Sequence, residues 1–380
     1  MADPQLALLL TLQFAFGIAF SIFLLLPKIF AVHMHAGPAG IGLVNAMFSL
    51  AGIASVPFVG ARVDRPGRPR LIARGALLMA ASSLAFLLVD RAGALAAALR
   101  AVQGSAYTVV FVVGAALASD LAPPGAMART MALFGSANLV TNAVAPLFAE
   151  PMIDHLGYRS VYVVAAGAAL VTYFLSRRLA ERPRAADAGD TSLGVVLRRG
   201  RARRVVAAVF LAGIAMGAMF TFSQPLALSL GITQIRSYFV AYTIAVLAVR
   251  FTLRDLIDRT GPQRATIASL VLYALVVFSM RFLSGPVGLA VLGAVFGVAH
   301  GFLFPSIMSL SVTDLPAEER GRMLTLANGA FIGGMALVLP LGLVAARAGY
   351  PAVFALGAAG ALAGAALLAR WPVAGPRAVP

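Results

Sequence analysis

The sequence predicts an all-α membrane protein, twelve transmembrane helices in two parallel, pseudo-symmetric six-helix halves. Three observations predict it. The chain is too apolar to cover a soluble surface, its apolar residues gather in about twelve stretches long enough to span a bilayer, and its second half repeats its first. Of 380 residues, 61% are apolar and 12% charged, and the mean hydropathy is +0.92. A soluble domain carries about 25% charged and about 45–50% apolar residues. Lipid must therefore solvate most of this chain. There is no cysteine, which excludes a disulfide scaffold and a thiolate metal site.

A spanning helix needs about 20 mostly apolar residues. The candidates lie at about 6–28, 39–60, 71–89, 93–118, 128–149, 158–176, 205–229, 237–256, 265–283, 287–312, 323–346 and 350–370. The first is read as a retained helix, because no basic stretch precedes it and no cleavage pattern follows. The net charge is +16, and of the 30 basic residues only Lys28 is not arginine. If the N-terminus is cytoplasmic, about 23 of them fall in cytoplasmic links and tails and about 6 on the other side, which favours both termini inside. The densest run, Arg177 to Arg204, sits in the one long polar stretch. It reads as a solvated linker carrying topogenic charge, and the same charges would suit anionic lipid. The arginines follow topology and are not interleaved with aromatic residues, so no nucleic-acid partner is expected.

The repeat has an offset of 194 residues. Asp64 maps to Asp258, Arg65 to Arg259, Gly67 to Gly261, Arg70 to Arg264, Asp120 to Asp314, Gly135 to Gly329 and Pro146 to Pro340. Gly157-Tyr158 and Gly349-Tyr350 match with a slip of two. Six spans return each copy to its starting side, so the copies are parallel. The organisation is an N-terminal half over 1–180, a cytoplasmic linker over 181–204 and a C-terminal half over 205–380.

The link between the second and third spans reads Gly60-Ala61-Arg62-Val63-Asp64-Arg65-Pro66-Gly67-Arg68-Pro69-Arg70. It resembles the G-x-x-x-D-R-x-G-R-[KR] signature of the major facilitator superfamily. Its second copy, Arg254 to Gly261, keeps Asp258 and Arg259 but has arginine for the leading glycine. Arg100-Ala101-Val102-Gln103-Gly104 is similar to that family's R-x-x-Q-G element, and Asp120-Leu121-Ala122-Pro123 and Asp314-Leu315-Pro316 to its D-L-x-P loops. The resemblance covers the whole chain and is nearest to twelve-span efflux permeases of the drug:proton antiporter type. One departure stands out: where antiporters carry G-P-x-x-G-G, this chain has Ala145-Pro146-Leu147-Phe148-Ala149-Glu150, keeping the proline and none of the glycines. The resemblance implies rocking of two halves about a midplane site, and it implies that Asp64 faces the start of the eleventh span.

Elementary physics assigns parts to the same residues. Gly60 would let helix backbones approach in lipid. Asp64 at a helix end can meet free N–H groups. Arg65, Arg68 and Arg70 are in reach of Asp120, and Arg259 with Asp258 and Asp314 forms the second set; such clusters can latch the cytoplasmic face, and Arg250 is assigned with them. Otherwise they are helix caps and topogenic arginine. Pro146 and Pro340 are expected to bend their helices. Glycines four residues apart, at Gly213 and Gly217, at Gly293, Gly297 and Gly301, and at Gly329 and Gly333, read as close-packing faces.

Polar side chains inside spans are candidates for substrate contact. Arg100, Gln103 and Tyr107 share one face of the fourth span, and Asn138, Thr141 and Asn142 one face of the fifth. Gln13 and Gln224 stand singly, and Tyr238 and Tyr242 lie four residues apart on the eighth span, where an interfacial aromatic belt explains Tyr238 better than Tyr242. His300 is the deep group that titrates near neutrality, and Glu150 lies near the outer end of the fifth span; these two are the candidates for proton coupling. No H-E-x-x-H, G-x-S-x-G or P-loop is present, which weighs against an intramembrane enzyme and against direct ATP coupling. The expected function is a secondary transporter of a small organic molecule, with proton-coupled efflux ahead of uptake or facilitated diffusion of a sugar or organic anion. A receptor or scaffold that no longer transports is the reading from another class. No cofactor is expected, the partners are substrate, protons and membrane lipid, and a monomer in the bacterial inner membrane is the default.

Overall fold

The computed structural model describes residues 3–63, 67–123, 126–181, 200–252, 259–313 and 315–370. Among them eleven helices are long and apolar enough to cross a membrane, and no strand is present. The helices are α1 (Pro4–His33), α2 (Pro38–Val63), α3 (Arg68–Ala85), α4 (Ala94–Asp120), α5 (Met127–Leu156), α6 (Arg159–Ser176), α7 (Gly200–Ser229), α8 (Arg236–Thr252), α9 (Pro262–Ser279), α10 (Gly285–Val312), α11 (Ala317–Ala336, then Val338–Ala348) and α12 (Tyr350–Ala369). The exception to the spanning length is α8, with 17 residues described before the chain reaches 253–258.

Local chemistry sets the ends. Pro4, Pro38, Pro69, Pro262 and Pro351 occupy first turns, where a missing N–H costs nothing. The Asp3 carboxylate caps α1 by accepting from the Gln5 N–H at 2.8 Å. The helix α5 ends at Gly157 (φ 81°, ψ 154°) and α11 at Gly349 (φ 78°, ψ 167°), the two glycines matched by the repeat. That region of backbone space is open essentially to glycine alone. Gly157→Ala and Gly349→Ala are each expected to cost about 1–3 kcal/mol, read as a lowered melting temperature in detergent, with Gly135→Ala, where a Cβ meets nothing within 4 Å, as the neutral control.

Helix pairing repeats along the chain. The pairs α2·α4, α3·α6, α3·α4, α1·α5 and α1·α6 recur as α8·α10, α9·α12, α9·α10, α7·α11 and α7·α12. The first six helices meet the last six mainly through α2 against α11 and α5 against α8. Chain starts and returns share one end, here the near end: Gln5 accepts from the Ala180 N–H, and Gln263 donates to the Leu368 carbonyl. The opposite, far end holds His33, Pro38, Leu156 and Arg236.

The predicted glycine faces are close-packed with one exception. Gly293 brings α10 to the Tyr238 carbonyl of α8, with a Cβ there falling 2.7 Å from it, and Gly297 does the same against Tyr242. Gly213 and Gly217 bring α7 against Phe331 and Met335 of α11. Gly329 has open space. So does Gly60, so the expected close approach of α2 at that position is not made. Gly42 makes it instead, against Val338 and Gly342 of α11, and Gly52 against Thr108. Near Pro340 the helix is interrupted as expected: α11 breaks at Leu337, three residues before the proline, where a proline ring disfavours the preceding turn. Tyr238 is fully buried rather than interfacial, packed between Phe220 and Tyr242, because Gly293 lets α10 close over it.

Candidate transport pathway

The first six helices bury a chain of polar side chains. Gln13 on α1 donates to Asn138 Oδ1 on α5 at 3.1 Å, and Asn138 Nδ2 donates to the Tyr107 hydroxyl on α4 at 3.2 Å. One turn further, Ser21 Oγ donates to Asn142 Oδ1 at 2.9 Å and lies 2.9 Å from Thr141 Oγ1. Three helices are thus tied together by polar groups that are buried at Gln13, Ser21, Thr141 and Asn142 and half-buried at Asn138 and Tyr107, spaced at three and four residues so that they share helix faces. Tyr107 carries the apolar side of the cluster, with Phe20 at 4.6 Å and Phe111 stacked at 5.6 Å.

Arg100 lies beside this cluster and is 5% exposed. Its Nη1 donates to Gln103 Oε1 at 2.9 Å, one turn along α4, and its guanidinium sits 4.3 Å from the Phe48 ring centroid. Two donors, Arg100 Nε and Gln103 Nε2, have no acceptor. Among the described residues no carboxylate pairs with Arg100, whereas the other strongly buried cations, Lys28 and Arg68, each face one. Gly104 completes the element: a Cβ there would run into the Phe48 carbonyl, so only glycine lets α2 bring Phe48 over Arg100.

In the last six helices His300 stands in an aromatic box. The rings of Tyr242, Tyr273, Phe304 and Phe331 lie about 6 Å from it, and the Tyr273 hydroxyl is 3.5 Å from Nδ1. Arg250 reaches the same box over Phe304 at 5.9 Å. Gln224 is not part of it. Its Nε2 donates to the Leu24 carbonyl of α1 at 2.7 Å, within the 3₁₀ turn over Ile22–Leu25 and three residues before Pro27, which has no N–H to offer that carbonyl. Gln224 therefore stitches α7 to α1. A shallow apolar groove of about 390 Å³ between α7 and α11, lined by Val206, Phe210 and Ala330, lies apart from these clusters.

The near end is only partly as the sequence predicts. Arg68 pairs with Asp120, joining the start of α3 to the end of α4. Both helices belong to the first six, so this pair does not bridge the two sets. Arg70 and Arg259 are exposed. The Gly67 N–H donates to Glu181. Asp64, Arg65, Asp258 and Asp314 lie outside the described residues.

The far end holds what sequence reasoning missed. Lys28 is not at the mouth of the first span, because α1 continues to His33. Its Nζ donates to Glu150 Oε1 at 2.6 Å and to the Thr233 carbonyl at 2.9 Å. Glu150 accepts in addition from the Ile235 N–H at 2.8 Å and the Arg236 N–H at 2.9 Å. Arg236 opens α8, so a carboxylate from α5 caps a helix of the other set. The one signal available in the sequence was that Lys28 is the sole lysine, at the end of an apolar stretch that also lacks acidic residues.

The pattern is that of a helical membrane transporter, and comparison with known proteins agrees. The family model for the Major Facilitator Superfamily matches residues 8–331 and 239–380. The chain is 26% identical over 329 residues to a multidrug resistance protein MdtG of Serratia proteamaculans, covering 82% of this chain and 79% of that protein. It is 25% identical to the MdtG of Salmonella choleraesuis over 82% of this chain and 80% of that protein. Among solved structures it shares its fold with the nucleoside transporter NupG (TM-score 0.79, 15% identity, 96% of this chain and 98% of that one). It shares it also with the human organic anion transporter MFSD10 (TM-score 0.69, 17% identity, 96% and 100%). The chain belongs to the Major Facilitator Superfamily, and is an integral membrane transporter rather than an enzyme.

Proposed function

We propose that the protein exports small organic molecules across the bacterial inner membrane in exchange for protons, by alternating access of two six-helix halves. Both termini lie in the cytoplasm in this reading, so the near end is cytoplasmic and the far end external. The arginine distribution supports that orientation. The recurrence of the same helix pairs in the first and last six helices, with cross-contacts α2·α11 and α5·α8, supports two parallel halves about an axis along the membrane normal. Export is supported by the multidrug resistance relatives. The observation that carries the alternating-access reading is the far-end seal. Lys28–Glu150–α8 and Gly42–Gly342 join the halves there, between buried polar clusters and the external face.

The cargo would contact Arg100, Gln103 and Tyr107 with Gln13, Asn138 and Asn142 in one half, and Tyr242 and His300 in the other, with Gln224 between them. Asp64, Arg65, Arg68, Arg70 and Asp120, with Arg250, Asp258, Arg259 and Asp314, would gate the near end. In proteoliposomes with a pH step, compounds from a mixed panel are expected to move with the gradient and to stop without it. Equal movement without a gradient would make the protein a facilitator.

A second reading is favoured by one observation. Arg100 Nε and Gln103 Nε2 present buried donors and no acceptor, a set that fits an organic anion. In that reading Arg100→Ala lowers transport of a labelled aromatic carboxylate tenfold or more while sparing neutral cargo. Unchanged anion transport would remove the role.

A further inference from the structure

We propose that the groove between α7 and α11 at the near end binds one anionic phospholipid, its phosphate on Arg203 and one acyl chain along the groove. The groove is lined by Arg203, Val206, Ala207, Phe210 and Leu211 of α7 and by Ala330 of α11. The first turn of α7 divides its charges. Arg201 and Arg204 turn to another side, into a small cleft with Gln263 of α9, Leu310 of α10 and Leu368 of α12. Arg203 is left over the groove, and it is exposed. No acidic residue occurs in α7, and none of the described residues that line the groove is acidic. From Val205 to Ser229 the helix carries no charge at all, so Arg203 stands where the hydrocarbon core begins. A guanidinium at that level presents a fork of donors to a phosphate. With two further arginines on the same turn, a headgroup of net negative charge is favoured over a zwitterionic one.

The groove faces away from the buried clusters. Met216, whose sulfur meets the Tyr273 hydroxyl beside His300, lies about two and a half turns beyond Ala207 and so on the opposite face of α7. Phe331 turns its ring to His300 at 6.1 Å, and Ala330, the residue before it, points about 100° away. Along α7 the groove residues Val206, Ala207, Phe210 and Leu211 are half-buried, whereas Val205, Ala208, Val209 and Ala212 are buried against other helices. Lipid is what this side meets. Further in, the seam is shut: a Cβ at Gly334 would run into the Phe210 carbonyl, so α7 and α11 touch backbone to backbone there and part toward the near end. From Arg203 to Leu211 the groove runs about 12 Å along the helix at about 1.5 Å per residue. One leaflet supplies about 15 Å of the roughly 30 Å hydrocarbon core. The groove thus matches a single chain hanging from a headgroup at the surface. A partner helix, or a second copy of this chain, would need matching surface across the whole core, and the Gly334 contact ends the groove within one leaflet.

Native mass spectrometry of the full chain reads the site without cargo or gradient. The protein is released from detergent after incubation with palmitoyl-oleoyl phosphatidylglycerol or with the matching phosphatidylcholine. The wild type is expected to retain one phosphatidylglycerol and little phosphatidylcholine. Arg203→Gln is expected to lower phosphatidylglycerol retention about tenfold, the effect of losing a charge-assisted hydrogen bond. Arg178→Gln, which removes an exposed arginine just past the end of α6, is expected to change nothing. Ala330→Trp fills the groove with Arg203 in place and is expected to exclude the lipid as well. Ala207→Trp fills it from the α7 wall and decides the same point if Ala330→Trp does not fold. Retention that survives Arg203→Gln or a filled groove would overturn the proposal. So would equal retention of the two lipids, or a loss as large in Arg178→Gln, which would mean diffuse surface charge. Displacement by inorganic phosphate alone would overturn it too, by making this a free-anion site. The readout is binding, so the site stands or falls independently of the transport reading.

Discussion

Lys28→Ala is expected to cost the folded protein about 3–5 kcal/mol, as is Glu150→Ala, because each leaves a buried charge without its main partner. The two are not equivalent in mechanism. Without Lys28, Glu150 retains the Ile235 and Arg236 N–H donors. Without Glu150, the Lys28 ammonium keeps one backbone carbonyl and a distant, exposed Asp154, and the α8 start loses its cap as well. Glu150→Ala should therefore be the more damaging at neutral pH. The double variant Lys28→Met with Glu150→Leu is expected to recover much of the loss, since apolar residues of similar volume often replace a buried ion pair without penalty. Equilibrium unfolding in mixed detergent, run as a double-mutant cycle, reads the coupling directly. Additive losses would show that the two side chains do not act as a pair.

What the sequence revealed and what it hid follow from range. Spans were legible because the bilayer imposes length and apolarity on contiguous residues, and α4, α7 and α10 are where composition places them. The Gln103–Arg100 bond was legible because it joins residues three apart on one helix. The faces of Asn138 and Asn142 were legible for the same reason. Their partners Gln13 and Ser21 lie more than a hundred residues away, and only Gln13 announced itself as a polar residue deep in a span. Lys28 was hidden twice over. The hydropathy boundary placed it at a helix mouth, where a lysine needs no explanation, and its partners Glu150 and Thr233 lie in different halves. Gly60 misled in the opposite sense. Its motif marks a close approach, but the approaching backbone belongs to Gly42, at the other end of the same helix.

Gly104→Ala is expected to be among the most disruptive single-methyl changes in the protein. The added Cβ would fall on the Phe48 carbonyl, a backbone atom that cannot rotate away, and Phe48 C and Cα lie close behind it. The helices α2 and α4 would have to separate, and forcing a methyl group into such a contact costs about 1–3 kcal/mol. The consequence for function exceeds that figure. Phe48 is the ring beneath the Arg100 guanidinium at 4.3 Å, and it also packs at 5.7 Å on Tyr107, which accepts from Asn138. Moving α2 outward withdraws the ring from the charge and loosens the wall of the polar cluster together. A cation–aromatic contact shielded from water is worth about 2 kcal/mol, so transport should fall by more than tenfold while the protein remains folded. Gly135→Ala, on the adjacent helix with nothing within 4 Å of the added atom, should leave both stability and transport unchanged. Phe48→Leu in the wild-type background separates the two effects. It removes the ring but not the close backbone approach, so it should reproduce the transport loss of Gly104→Ala with the α2–α4 packing intact. If Phe48→Leu transports normally while Gly104→Ala does not, the glycine serves helix packing alone, and the ring over Arg100 is not part of the binding surface.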